Sequence, residues 1–188
     1  MRGTSASKVF VKNNKAIQSL ATIALFVSFT AVCSQISIPL PFTPVPLNLA
    51  LLSVFMSGII LGSIKGTVCQ IVYISLGCTG VPVFANFQGG IGIIIGPTGG
   101  YIVGYIVVSF IVWLLGRSNH TVTITALSMA LGLFACYALG TMWFVIITGT
   151  KIFEALFICA IPFVIGDALK IIFATALSKR LPAINFFV

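Results

Sequence analysis

Asp167 and Lys170, in the segment Ile165-Gly-Asp-Ala-Leu-Lys170, are the only acid and the only base inside any of this chain's long apolar stretches. Their spacing puts both on one face of a helix. An ionisable group surrounded by hydrocarbon is costly and tends to mark a ligand or ion pathway. Read functionally, Lys170 neutralises an anionic ligand group, and Asp167 either orients Lys170 or accepts from a ligand N–H. Read structurally, the two form an ion pair that fixes their helix against its neighbours. The residues alone leave both readings open.

A second polar group stands upstream. Val83-Phe-Ala-Asn-Phe-Gln-Gly-Gly90 mixes aromatic rings with two amides, and Asn86 and Gln88 can each donate and accept hydrogen bonds, as a neutral polar ligand requires. Gly89 adds backbone without a side chain in the way. The wider segment 77–104 holds nine of the chain's 18 glycines, and Gly92, Gly96, Gly100 and Gly104 recur at steps of four that let helices pack closely. A continuous helix over 90–116 would be about 40 Å long against a hydrocarbon thickness of roughly 30 Å, so a break is predicted near Gly96-Pro-Thr-Gly-Gly100. With Pro97 at the first helical position, the free N–H groups of the new helix near Gly100 face an outer cavity, where they can hold a carbonyl or an anion. Tight packing alone is the competing use of these glycines. Trp143 is either an interfacial anchor or a wall of the cavity.

The elements that must position these groups are membrane helices. The hydrophobic fraction is 59%, the charged fraction 6% and the mean hydropathy +1.20, which leaves too little polar surface to wet a 188-residue globule. Apolar runs at 17–36, 47–64, 66–80, 98–116, 124–148 and 155–178 predict six transmembrane helices in one domain over 15–188. Residues 1–14, polar and basic, are read as a disordered tail. The apolar run behind them is too long for a signal-peptide core of roughly 7–15 residues and is kept as a span.

Six spans place both termini on one side of the membrane. Arg2, Lys8, Lys12, Lys15, Lys65, Arg117, Lys179 and Arg180, eight of the ten basic residues, fall on that side and make it cytoplasmic. This accounts for the net charge of +8 without a nucleic-acid partner. His120, beside Arg117, is read as a solvated residue of a cytoplasmic turn. The outer connections 37–46 and 81–97 are long and nearly uncharged. The first carries Pro39, Pro41, Pro44 and Pro46 and is expected to be a stiff extended segment. The fold class is therefore an all-α membrane protein whose long outer loops, between helices one and two and between three and four, cap an outward-facing ligand cavity.

Motif chemistry points away from catalysis. There is no Walker A sequence, no Gly-x-Ser-x-Gly and no His-Glu-x-x-His, so neither nucleotide hydrolysis nor an intramembrane hydrolase has residues to work with. Cys33, Cys69, Cys78, Cys136 and Cys159 include no Cys-x-x-Cys pair and are read as packing residues, with no metal site and no cofactor.

Four blocks carry a family resemblance: Pro41-Phe-Thr-Pro-Val-Pro46, Leu76-Gly-Cys-Thr-Gly-Val-Pro-Val-Phe-Ala85, Gly96-Pro-Thr-Gly-Gly-Tyr-Ile-Val-Gly104 and Gly166-Asp-Ala-Leu-Lys170. Together they resemble the signature of the BioY family, biotin-binding substrate subunits (S components) of bacterial energy-coupling-factor (ECF) vitamin transporters. The similarity runs from about residue 17 through nearly the whole chain. It implies a multi-pass protein of the bacterial plasma membrane that captures biotin at the outer face and delivers it with a transmembrane coupling protein and two cytoplasmic ATPase subunits.

The resemblance also gives the candidate residues a ligand. Lys170, with Asp167 beside it, is the candidate for the biotin carboxylate. Asn86, Gln88 and the backbone at Gly89 are candidates for the ureido end, and Tyr101 and Trp143 for the ring system or tail; the reverse orientation is the other arrangement. Docking of the coupling protein is expected on small residues of helix one, at Ala24 and Ser28, where relatives carry an Ala-x-x-x-Ala pattern. A departure follows the proline segment: relatives commonly read Thr-Leu-Gln where this chain has Asn48-Leu-Ala50, so any contact from that glutamine is missing. A stand-alone proton-coupled vitamin carrier, with Asp167 as the protonated group, is the alternative function.

Overall fold

The structure is a computed structural model that describes residues 4–62, 64–116 and 121–180, with side chains from residue 16 onward. Arg2, Arg117, His120 and the side chains of Lys8, Lys12 and Lys15 lie outside the described residues. The elements in order are α1 (Thr4–Gln35), β1 (Ser37–Ile38), β2 (Leu47–Asn48), α2 (Ala50–Ile60), α3 (Lys65–Cys78), a 3₁₀ turn (Ala85–Phe87), α4 (Ile91–Ile95), α5 (Gly99–Gly116), α6 (Val122–Thr148), α7 (Ile152–Cys159) and α8 (Ile161–Ser178).

Each of the six apolar runs is helical, but the runs and the helices differ in four ways. Four helical segments are long and apolar enough to cross a bilayer, Ala16–Gln35, Gly99–Gly116, Val122–Thr148 and Ile161–Ser178. α2 and α3 have 11 and 14 residues, about 17 and 21 Å, short of the hydrocarbon thickness. The sixth run is two helices, because Ala160 takes a non-helical conformation (φ −120°, ψ −57°) just before Pro162, whose ring cannot continue the preceding helix. The proline segment 39–46 is not extended: β1 and β2 pair antiparallel on either side of it, Ser37 opposite Asn48 and Ile38 opposite Leu47. Proline's fixed φ suits a turn as well as an extended run, and here the chain doubles back. Finally, the backbone is helical from Thr4, within the segment expected as a disordered tail; no glycine or proline interrupts 4–35.

The predicted break near 96–100, at the start of the fourth run, is present. α4 ends at Ile95, Gly99 N–H donates to Gly96 O at 3.1 Å, and Tyr101 and Ile102 N–H both donate to Thr98 O. Pro97 therefore sits in the turn between the helices rather than at the first position of α5.

Small residues bring the helices together. α5 packs along α6 where a Cβ on Gly100 would overlap the Trp143 side chain, one on Gly104 would lie 2.8 Å from Cys136 Sγ, and one on Gly140 would overlap the Tyr101 ring. At Gly92, by contrast, there is open space. On the other side, Gly66 of α3 rests on the backbone of Ser57 and Gly58 of α2 on that of Ser109 in α5. Gln70 Nε2 donates to Ser57 Oγ at 3.0 Å, and Thr30 Oγ1 and Ser53 Oγ share a 2.6 Å bond between α1 and α2. Both bonds are buried, where hydrogen bonds hold helices in register.

Candidate functional site

At the end of the bundle away from this α2–α3–α5 contact, the helices part around a cavity. It lies among the first turns of α2 and α5, the last turns of α3, the middle of α6 and the first half of α8, with residues 44–48 and 84–88 beside it. Water centres have about 150 Å³ of room inside, many times the 10–15 Å³ that one water needs, so a small organic molecule is the fitting occupant.

α8 delivers the charged pair. Lys170 Nζ lies 2.6 Å from Asp167 Oδ1, and the two side chains are only 9% and 6% exposed. Tyr137 of α6 donates its hydroxyl to Asp167 Oδ2 at 2.5 Å. Both carboxylate oxygens thus have donors, which offsets part of the cost of removing an ion pair from water. An ammonium has three N–H groups; one serves Asp167, and among the described residues no other acceptor claims the remaining two. An anion reaching Lys170 meets a cation already aimed and dehydrated.

The amides come from the loop after α3. Phe84 anchors it, 2% exposed, its ring edge-on to Tyr73 (5.6 Å between centroids) and seated over Gly77. Tyr73 Oη donates to Val83 O at 3.0 Å, and Phe84 N–H donates to Gln88 O at 2.9 Å. Asn86 and Gln88, on this closed turn, line the cavity. Between the amides and the ion pair the walls are largely aromatic and aliphatic: Tyr73, Tyr101, Ile102, Tyr105, Leu133 and Phe163. Tyr101 is fixed by its hydroxyl, 3.0 Å from Thr141 Oγ1 and 3.4 Å from Cys159 O.

Five of the sequence candidates, Asn86, Gln88, Tyr101, Asp167 and Lys170, share this cavity. Trp143, Gly89 and Gly100 do not line it. Trp143 turns its indole to the break before α5, where Nε1 donates to Gly96 O at 3.0 Å, and Gly100 is the space its side chain needs. Gly89 lies against the carbonyls of Gly80 and Val81 and closes the loop. Trp143→Phe is accordingly expected to lower stability by about 1 kcal/mol through the lost hydrogen bond, with the cavity intact, as thermal unfolding in detergent will report. Ala24 and Ser28 are exposed on α1, and Ser28 Oγ donates back to Ala24 O at 3.0 Å, so its hydroxyl is satisfied within the helix.

Residues that sequence reading passed over complete the wall. Tyr137 and Tyr105 sit in helices apolar on all sides, where nothing marks which tyrosine faces inward. Asn48 also lines the cavity, and its Oδ1 accepts from Ala50 N–H at 3.1 Å. Ala50, in the position of the missing glutamine, is fully buried. In this segment the polar side chain that reaches the cavity is Asn48, two positions upstream.

A family model described as the BioY family matches residues 5–185. The chain is 37% identical over 164 residues, 87% of its own length and 96% of the relative's, to a probable biotin transporter BioY of Pyrococcus horikoshii. It is likewise 37% identical over 166 residues, 88% and 96% of the two chains, to the biotin transporter BioY of Thermotoga maritima. Among solved structures, the S-component for biotin from an ECF-type ABC transporter superposes with a TM-score of 0.84 over 90% of this chain and 93% of that one. At 24% identity, that likeness bears on the fold alone.

Proposed function

The chain belongs to the BioY family, and on that footing we propose that it is the biotin-binding S component of an ECF-type importer. It is a multi-pass membrane protein of a transporter family. In this reading it captures biotin from outside and releases it to the cytoplasm when a transmembrane coupling protein and two ATPase subunits act on it. The chain brings no nucleotide-binding motif of its own, so in this reading ATP is hydrolysed by those partners. Ala24 and Ser28, small and exposed on α1, are the proposed contact with the coupling protein.

The observation that carries the proposal is the buried Lys170–Asp167 pair on the wall of an aromatic cavity that also holds two amides. Biotin asks for those three environments. Its carboxylate needs a cation, its ureido ring needs both donors and acceptors, and its thiophane ring and alkyl chain need apolar walls. Lys170 is assigned to the carboxylate, Asn86 and Gln88 to the ureido group, and Tyr101 with Tyr105 to the ring faces. Trp143, Gly89 and Gly100 support this site from behind.

The proposed topology keeps six spans, with α2 and α3 as short crossings and α7 and α8 as one interrupted crossing. Both termini are then cytoplasmic, in accord with the basic residues, and the loops 37–46 and 81–97 cap the cavity on the outside. Binding is tested on the purified full-length chain in detergent, by mass spectrometry for co-purified biotin and by calorimetry. One biotin per chain is expected; a well-folded chain that binds none overturns the proposal. Reconstitution of the chain alone in liposomes tests the coupling: biotin accumulation driven by a pH gradient would establish the Asp167 carrier instead.

A further inference from the structure

The loop that carries Asn86 and Gln88 is held by one side chain from a distant helix. Gln35, the last residue of α1, donates from Nε2 to Pro82 O at 3.1 Å and to Phe84 O at 3.0 Å. Its Oε1 accepts from Phe87 N–H at 2.8 Å. A single amide therefore ties both sides of the turn 82–87 to the end of α1, using its donor and its acceptor together. Gln35 does not line the cavity.

What it ties down is a conformation that the turn does not favour by itself. Asn86 (φ 59°) and Phe87 (φ 57°) are consecutive non-glycine residues in the left-handed region. Asparagine tolerates that region, whereas phenylalanine is strained there. Phe87 is 73% exposed, so no burial of its ring offsets the strain. Strained backbone persists where surrounding contacts over-determine it, and here those contacts are Gln35, the Phe84–Gln88 bridge and the 2.8 Å bond between Ser37 Oγ and Asn86 Oδ1.

We propose that Gln35 is a positioning residue of the ligand site: its amide holds the strained turn at Asn86–Phe87, and so sets ligand affinity without touching the ligand. The proposal rests on the biotin reading above, and its tests separate the two. Gln35→Met keeps the length and removes all three bonds. By calorimetry on full-length protein, biotin affinity is expected to fall about tenfold, roughly the weight of one to two net hydrogen bonds. Gln35→Glu, which retains the acceptor and removes both donors, moves affinity in the same direction.

Phe87→Asn then distinguishes positioning from mere structural damage. Asparagine adopts the left-handed conformation more readily, so Phe87→Asn in the Gln35→Met background is expected to recover several-fold in affinity, while Phe87→Asn alone stays near wild type. A Gln35→Met protein with wild-type affinity overturns the proposal, as does a weakened one that Phe87→Asn does not rescue. If the wild-type chain binds no biotin, the biotin reading fails by itself. Hydrogen exchange on the ligand-free protein then decides the clamp: faster exchange at Phe87 and Gln88 in Gln35→Met supports it, and unchanged exchange overturns it.

Discussion

Lys170→Ala is expected to lower biotin affinity at least tenfold. A hydrogen-bonded charge pair between protein and ligand, buried and then broken on one side, costs about 2–5 kcal/mol, and every 1.4 kcal/mol is a factor of ten. The salt bridge adds a second expectation. Asp167, 6% exposed, loses its counter-ion in that variant and keeps only the Tyr137 hydroxyl, so the ligand-free protein also becomes less stable. The double variant Asp167→Asn/Lys170→Met removes both charges. It is expected to regain much of the thermal stability and none of the affinity. Calorimetry and thermal unfolding in the same detergent check both; wild-type affinity in folded Lys170→Ala protein would refute the assignment of Lys170 to the carboxylate.

Gly77→Ala is expected to damage the site as badly from outside it. A methyl group at this position overlaps the Phe84 ring, which lies between α3 and the cavity and can give way only towards the ligand space. Overpacking of this kind costs about 1–3 kcal/mol. The Gly77 carbonyl also accepts from Gly80 N–H at 3.1 Å and from Gly90 N–H at 2.7 Å, so both ends of the loop close on one residue. Displacing Phe84 moves Asn86 and Gln88 with it, and both melting temperature and biotin affinity should fall, affinity by more than tenfold. Phe84→Leu in the Gly77→Ala background should recover stability by making room. Gly92→Ala, at a glycine facing open space, should change neither quantity.

The contrast between Gly77 and Gly92 shows what the sequence could convey. Glycine at steps of four is a visible pattern, yet only Gly100 and Gly104 of that series lie at a helix contact, because the break at 96–98 turns Gly92 away. Asp167, Lys170, Asn86 and Gln88 were legible for the opposite reason: polar side chains are rare in these surroundings, and rarity needs no knowledge of helix rotation. Tyr137 was not legible. It belongs to a helix apolar on every side, and its partner lies 30 residues away on another helix. Gln35 was hidden likewise, at the edge of a span where a polar residue is ordinary, with partners 47 to 52 residues ahead.

Of the two helix interruptions, the first follows from length and the second does not, although Pro162 stands beside it. Proline near a helix start is common enough that the run 155–178 read as continuous. The proline segment 39–46 shows the reverse: its stiffness suggests extension, while the pairing residues that fold it back, Ser37, Ile38, Leu47 and Asn48, lie just outside the prolines.

Those two interruptions have a common placement. Thr98, at the first break, and Cys159, at the second, both line the cavity, and each break leaves backbone carbonyls outside the regular helical ladder. Gly96 O is taken by the Trp143 indole and Cys159 O by the Tyr101 hydroxyl. In a bilayer, unfinished helices are tolerated only where protein or a polar cavity receives their loose ends. A chain that completed both helices would gain backbone hydrogen bonds and a straighter bundle, and would close the room between them. The binding site is therefore purchased in thermostability, and sequences selected in the laboratory for a higher melting temperature will tend to heal Gly96–Thr98 and replace Pro162, and lose the vitamin.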